Sequence, residues 1–196
     1  DDSIIDWIAL SQVIGVGSRT AATVIERFGS PAACFEASAL SLEAAGLRRE
    51  TVYAIKSSEP RNRAERELKE LAKLGGKAVT LNDERYPALL RETFVPPIVL
   101  YCLGDFIGAF AQPVLAIVGS RRCSTYGHNV AEMLARELAE RGVTIVSGLA
   151  RGIDSDAHRG ALEARGLTVA VMGTGLDSAY PKENKRLAER IAERGA

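Results

Sequence analysis

Three strand-like runs that each end in a glycine-containing loop constrain the fold of this chain most strongly. The runs cover residues 114–118, 143–147 and 168–172, and amphipathic helical patterns at residues 127–141 and 153–165 separate them. Alternation of strand and helix predicts right-handed crossovers and a parallel, Rossmann-like α/β sheet. All three loops then emerge at the carboxyl edge of the strands, where open α/β sheets bind ligands. The chemistry of these loops therefore indicates the function of the domain.

The composition of the three loops favours anions. Their sequences are Gly-Ser-Arg-Arg at residues 119–122, Gly-Leu-Ala-Arg-Gly at 148–152 and Gly-Thr-Gly-Leu-Asp at 173–177. Glycine allows a ligand to approach the backbone, and amides at helix starts together with arginine attract phosphates. None of the loops has the G-x-G-x-x-G pattern of dinucleotide-binding folds. The sequence predicts a phosphate-binding surface made from three loops and no dinucleotide cofactor.

Composition narrows the class of protein. The chain has 196 residues with 25 basic and 25 acidic side chains, a balance that argues against coating duplex DNA by bulk charge. Cys34, Cys102 and Cys123 show no C-x-x-C spacing, and no histidine is placed to complete a zinc site, so we expect incidental thiols and no metal. Residues 98–119, the most apolar window, are interrupted by polar residues, and the start lacks an apolar leader. We expect a cytoplasmic protein without a membrane segment.

The sequence predicts two domains. Residues 1–58 indicate a small all-α domain in which the glycine turn at 15–17 joins two helices, a pattern that resembles a helix-hairpin-helix or SAM-like element, with a weaker copy near residues 42–55. Two interpretations stay open: this domain grips nucleic-acid backbones, or it only packs. Residues 59–76 form a connecting helix. Residues 77–196 form the Rossmann-like domain, in which we expect two further strands to join the sheet and the domain to continue past residue 196.

The ordered motifs resemble one family over nearly the whole chain. They are Ile-Val-Gly-Ser-Arg-Arg at 117–122, Ser-x-Tyr-Gly at 124–127, Val-Ser-Gly-Leu-Ala-Arg-Gly-Ile-Asp at 146–154 with Ala-His at 157–158, and Gly-Thr-Gly-Leu-Asp at 173–177 with Tyr-Pro at 180–181. The family is DNA-processing protein A (DprA, also called Smf). The resemblance implies a non-enzymatic protein that binds single-stranded DNA taken up in natural transformation, protects it and helps to load RecA recombinase. It also implies a homodimer formed through a carboxyl-terminal part beyond this sequence.

The resemblance also implies which residues contact DNA. Arg121 and Arg151 occupy the basic positions of the family's motifs, whereas Arg122 either joins them or faces solvent. Hydroxyls and amides for the phosphates are expected from Ser120, Ser147, Gly148, Gly152, Gly173 and Gly175, and Lys182 and Asn184 complete the predicted set. Such a groove combines positive charge for the backbone with planar groups for the bases, and it tolerates any sequence.

Other polar residues near the loops favour structural roles. We expect Asp154 to cap free amides at a helix start rather than to act as an acid or base, and His158 to hold the loop. Tyr126 and Tyr180 either pack beside the loops, which we expect, or stack on bases. A nucleophilic triad of Ser147, His158 and Asp154 lacks spacing that orients the serine.

Two other function classes remain alternatives. The fold also resembles that of the lysine-decarboxylase-like phosphoribohydrolases, although residues 172–177 lack their Pro-Gly-Gly start and glutamate. An interaction module whose loops bind nothing is the second alternative. We therefore expect a DNA-binding protein rather than an enzyme.

Overall fold

The computed structural model describes residues 4–196 and divides the chain into two compact units, one ending at Tyr101 and the other running from Cys102 to Ala196. The predicted boundary lies earlier, near residue 76. The two strands beyond that point, Lys77–Thr80 (β1) and Val99–Cys102 (β2), form their own two-stranded sheet. The expectation that they join the larger sheet is wrong, because β1 packs against helices of the first unit.

The first unit is mainly helical. Its helices are Ile4–Ser11 (α1), Ser18–Phe28 (α2), Pro31–Glu36 (α3), Ala39–Ala44 (α4), Arg49–Lys56 (α5), Glu59–Lys73 (α6) and Ala88–Arg91 (α7). Helix α1 is central, since Ile8 and Leu10 are fully buried and the helix packs against α2, α3 and α6. Both predicted helical pairs, α1 with α2 and α4 with α5, are present. Helix α2 has Gly17 as its N-cap without a side-chain hydrogen bond, and Ser18 is its first helical residue.

The second unit contains the parallel sheet. Its elements are Phe106–Phe110 (α8), Val114–Ala116 (β3), Thr125–Glu140 (α9), Thr144–Ser147 (β4), Ile153–Glu163 (α10), Thr168–Ala170 (β5), a short 3₁₀ helix at Lys182–Asn184, and Lys185–Arg194 (α11). The strand order is β3-β4-β5, with Leu115 opposite Ile145 and Val146 opposite Val169. The predicted strand–helix alternation is therefore confirmed.

Small residues bring the two crossover helices close together. Helices α9 and α10 bury Ala135, Ala139, Ala157 and Ala161 against Ile145 of the central strand. At Gly160 a Cβ atom would lie 2.1 Å from the Glu132 carbonyl oxygen, so the backbones touch where only glycine fits. This packing fixes the amino-terminal ends of both helices, and with them the loops that enter those helices, relative to the sheet.

Candidate nucleic-acid interface

Three neighbouring loops follow the three strands at one edge of the sheet. We call residues 117–124 the first loop, residues 148–152 the second loop and residues 171–181 the third loop. Because the strands are parallel and ordered β3-β4-β5, the second loop lies between the other two. The predicted common edge of the three loops is confirmed, and the structure adds their order.

The loops enclose an open concavity of about 440 Å³, which we call the arginine groove. Three arginines from the first two loops line it together with residues of the third: the lining residues are Arg121, Arg122, Gly148, Ala150, Arg151, Met172, Gly173, Thr174, Tyr180 and Pro181. The predicted packing role of the tyrosines is wrong, since Tyr126 is 77% and Tyr180 is 64% exposed. The groove thus combines guanidinium groups with an exposed aromatic ring.

The arginines differ in what they contact. Within residues 4–196, the guanidinium groups of Arg121 and Arg122 have no carboxylate at ion-pair distance, and both residues are exposed. Arg151 forms an ion pair and a hydrogen bond with Glu183, also exposed. This pairing lowers the pKa of Glu183 and raises the pKa of Arg151. Arg121 and Arg122 are therefore available to an anion directly, whereas Arg151 must release Glu183 before it can bind one.

Sequence reasoning did not single out Glu183, although it directly follows Lys182 in the segment after the third loop. Lys182 itself is exposed and forms no ion pair in the part of the chain that the structure describes.

A buried carboxylate joins the first and second loops. Asp154, 6% exposed at the start of α10, accepts hydrogen bonds from the amides of Gly148 at 3.1 Å, Gly119 at 3.4 Å and Ala150 at 3.4 Å. The predicted capping of amides at the helix start is wrong, because α10 has no side-chain cap and the amides that Asp154 binds belong to the loops. Consequently the Gly148 amide, a predicted phosphate ligand, already has a partner, and an internal anion occupies the position where this fold commonly binds phosphate.

Two of the predicted DNA-contacting side chains are buried. Ser147 is 2% exposed, and its hydroxyl donates a 2.6 Å hydrogen bond to the Ile117 carbonyl oxygen. Asn184 is 6% exposed and donates to the Leu149 carbonyl oxygen and the Ser155 hydroxyl, both at 2.8 Å. The predicted contact role is not supported for either side chain. They hold the loops in place because buried polar groups require partners.

The remaining loop residues are of two kinds: glycines that let two loops approach each other, which we call spacers, and residues whose backbone is exposed, which we call open backbone. At Gly152, where φ is +76°, a Cβ atom would lie 2.3 Å from the Ser120 carbonyl oxygen, so this glycine permits the second loop to contact the first. The Ser120 hydroxyl closes a local turn with the backbone of Arg122. At Gly173 a Cβ atom would meet nothing within 4 Å, and neither Gly173 nor Gly175 donates an amide hydrogen bond within residues 4–196. The third loop therefore offers the open backbone.

Within residues 4–196, the buried histidine of the second unit forms no hydrogen bond with the loops. His158 is fully buried, and its Nδ1 atom lies 2.7 Å from the Thr168 hydroxyl oxygen. The expectation that it holds the loop is wrong. Because Ser147 and His158 hydrogen bond to Ile117 and Thr168 respectively, these residues do not form the triad that can be drawn from the sequence.

A second group of polar side chains lies beside the first loop. Ligand atoms of Cys123, His128 and Asp156 lie within 4.8 Å of one another. The expectation that no histidine is placed to complete a metal site is therefore wrong, because α10 brings a carboxylate from 28 residues further along the chain to His128.

Comparison with known proteins agrees with this geometry. Residues 77–196 match the family model of the DNA recombination-mediator protein A. The chain belongs to this family. Protein Smf of Synechocystis sp. is 36% identical over 193 residues, which cover 96% of the chain and 48% of that protein. The X-ray structure of DNA processing protein A (DprA) from Streptococcus pneumoniae is similar at a TM-score of 0.78 and 32% identity over 97% of the chain and 65% of that structure.

A further DprA structure adds a description of a ligand. DNA processing protein A from Helicobacter pylori, a structure that concerns its single-stranded DNA binding mode, is 34% identical at a TM-score of 0.54, over 61% of the chain and 52% of that structure. The chain spans about half of the Synechocystis Smf relative. Among residues 4–196, no helix is both long and apolar enough to cross a membrane.

Proposed function

We propose that the chain binds single-stranded DNA without sequence preference, with the phosphates in the arginine groove. The observation on which this rests is the position of Arg121 and Arg122, two guanidinium groups without an ion-pair partner among residues 4–196, beside a third at Arg151 on one sheet edge. Arginine groups that lack an internal carboxylate partner bind phosphate without first breaking an ion pair. The single-stranded DNA binding mode described for the Helicobacter pylori relative supports the choice of ligand.

Single-stranded DNA fits the groove better than a nucleotide cofactor does. The Asp154 carboxylate occupies the loop amides that would bind a pyrophosphate. The groups of the groove that remain available to a ligand are the arginine side chains, the open backbone at Gly173 and the exposed Tyr180 ring. Bases that stack on an aromatic ring while arginines neutralise the backbone give binding that tolerates any sequence. Lys182 lies close enough in sequence to the groove to extend the basic surface.

The proposal includes a role in recombination. The family is described as a recombination mediator, which supports handing the bound strand to RecA recombinase in transformation. Stimulation of RecA filament formation on single strands is the measurement for this role, and sedimentation of the chain tests the proposed homodimer.

The phosphoribohydrolase-like alternative predicts release of a free base from nucleoside monophosphates, which the same protein preparation can be assayed for.

The experiment that tests the DNA site is a salt series of fluorescence anisotropy with a labelled single strand and its duplex. The variant is Arg121→Gln/Arg151→Gln, and its matched control is Arg136→Gln/Arg190→Gln, which removes two exposed charges from α9 and α11. Removing one arginine that binds a phosphate lowers the slope of log affinity against log salt by about 0.7 for single strands. From two such arginines we expect a decrease of about 1.4 in the groove variant, and we expect none in the control.

Two results contradict the proposed site. If the groove variant keeps both the affinity and the salt slope of the parent, the DNA lies elsewhere, with the helical pairs of the first unit as the next candidate. If duplex and single strand bind equally well, the groove recognises phosphates but not an unpaired strand.

A further inference from the structure

A sulfur, a nitrogen and an oxygen ligand converge at the end of the first loop. Cys123 lies near the end of that loop, His128 lies in the first turn of α9, and Asp156 lies in the first turn of α10. Their ligand atoms lie within 4.8 Å of one another. Each residue comes from a segment whose position the packing of α9 against α10 fixes. This set lies beside the arginine groove and has no part in the DNA site proposed above.

We propose that Cys123, His128 and Asp156 bind a Zn²⁺ ion. Thiolate, imidazole and carboxylate are the side-chain ligands that zinc takes in proteins, at roughly 2.0–2.3 Å. Two ligands of a tetrahedral ion therefore lie roughly 3.5 Å apart. The His128 and Asp156 ligand atoms, which are 2.5 Å apart, would separate by about 1 Å, and any wider gap in the set, at most 4.8 Å, would close by a similar distance. Hard cations such as Mg²⁺ prefer oxygen ligands and do not fit a site with a thiol and an imidazole.

The hydrogen bonds around Asp156 suit a metal ligand. One carboxylate oxygen lies 2.5 Å from His128 Nδ1, and the other accepts a hydrogen bond from Arg159 at 2.6 Å. A zinc ion bound by both side chains would take the place of the hydrogen bond between His128 and Asp156. Arg159 then orients the carboxylate, as hydrogen-bond donors around metal ligands do. A bound thiolate and a bound carboxylate together neutralise the charge of the ion.

Exposure distinguishes the three ligands. The Asp156 side chain is only 3% exposed, whereas that of His128 is 46% exposed and Cys123 is half-buried. Three protein ligands with a partly exposed histidine leave the fourth position to water. The ion would connect the end of the first loop, two residues beyond Arg121, to α10. Bound zinc is therefore expected to reduce the mobility of the first loop.

Cobalt(II) is the probe for this site, because its bond to a thiolate gives a near-ultraviolet charge-transfer band and its tetrahedral complexes absorb strongly in the visible. The metal-free, reduced chain is titrated with Co²⁺, and Zn²⁺ is then added to displace it. The parent is expected to show both bands at one equivalent. Cys123→Ser should abolish the charge-transfer band, and Cys102→Ser, the matched control, should keep it.

A second variant separates a three-ligand site from a thiol that binds metal alone. His128→Gln removes an exposed imidazole and is expected to fold, and it should weaken Co²⁺ binding at least about tenfold. Hydrogen exchange of residues 119–125 should slow on adding Zn²⁺ to the parent but not to His128→Gln. The proposal is overturned if the parent shows no charge-transfer band, if the band survives Cys123→Ser, or if His128→Gln binds as tightly as the parent. None of these measurements uses DNA, so the two proposals fail independently.

Discussion

The buried histidine His158 predicts how the stability of the second unit depends on pH. Its Nδ1 atom lies 2.7 Å from the Thr168 hydroxyl oxygen, and that hydroxyl donates its own proton to the Ile145 carbonyl oxygen at 2.7 Å. The ring must therefore donate from Nδ1, and its Nε2 atom is buried without a hydrogen-bond partner in the part of the chain that the structure describes. A second proton has no acceptor at Nε2, so the folded unit holds this ring neutral.

The size of the effect follows from the pKa. Burial lowers the pKa of His158 from 6.5 to about 4, although the nearby Asp154 charge opposes the decrease. Between these two values the unfolded chain binds a proton that the folded chain does not, so acidification favours unfolding. The stability is complete above pH 6.5 and is lost as the pH falls toward 4. Each pH unit between the two pKa values changes the free energy of unfolding by about 1.4 kcal/mol, so the total loss is about 3 kcal/mol. About 2 kcal/mol of this loss occurs between about pH 7.5 and pH 5.

Urea unfolding at closely spaced pH values, compared between the parent and His158→Asn, measures this contribution. The asparagine amide keeps a donor near Nδ1 but does not titrate. Hydrogen exchange of β4 and β5 assigns the result to the second unit. The free energy of unfolding of the parent should decrease by about 2 kcal/mol more than that of the variant between about pH 7.5 and pH 5. Equal pH dependence in both proteins would refute the assignment of a neutral, buried ring.

Three further substitutions test the arginine groove. Glu183→Gln frees Arg151 and should strengthen single-strand binding roughly two- to fivefold at low salt, an effect that should vanish when Arg151 is already glutamine. Gly173→Ala should leave the urea midpoint unchanged, because its Cβ atom meets open space, yet it should weaken DNA binding if phosphates contact this backbone. Gly152→Ala should instead destabilise the second unit by about 2 kcal/mol or more in the same unfolding assay, because φ is +76° and the Ser120 carbonyl oxygen lies 2.3 Å from the new atom. If Gly173→Ala lowers the stability, the assignment of Gly173 as open backbone is incorrect. If Gly152→Ala does not lower it, the assignment of Gly152 as a spacer is incorrect.

The sequence predicts the sheet well because its signals are local and agree with one another. The hydrophobic runs before Gly119, Gly148 and Gly173 and the helical patterns between them predict parallel strands whose loops share one edge of the sheet. The paired strands β1 and β2 illustrate the limit. Their composition indicates strands, but whether they extend the parallel sheet or pair with each other depends on contacts with α1 and α6 that no local pattern contains.

The same limit applies to the candidate site. The arginines are evident from the sequence, because a charged side chain after a strand lies at the edge of the sheet. Burial and hydrogen-bond direction are not evident, and for this reason Ser147 and Asn184 are expected at the DNA but lie inside the unit. The convergence of Cys123, His128 and Asp156 is missed because the third residue comes from a different helix. Spacing along the chain detects ligand sets on one element, whereas this set requires the packing of α9 against α10.

The Asp154 carboxylate explains why arginines, and not the amides of the first and second loops, are the main proposed phosphate ligands of this chain. In a parallel α/β sheet, the loop amides beside a helix start are the usual anion site, and here the chain supplies its own anion there. An external phosphate must therefore bind further out, where Arg121, Arg122 and Arg151 line the groove. Side chains at the rim can follow a flexible strand over several phosphates, which an enclosed amide pocket cannot do. The internal carboxylate thus favours an extended polyanion over a single nucleotide.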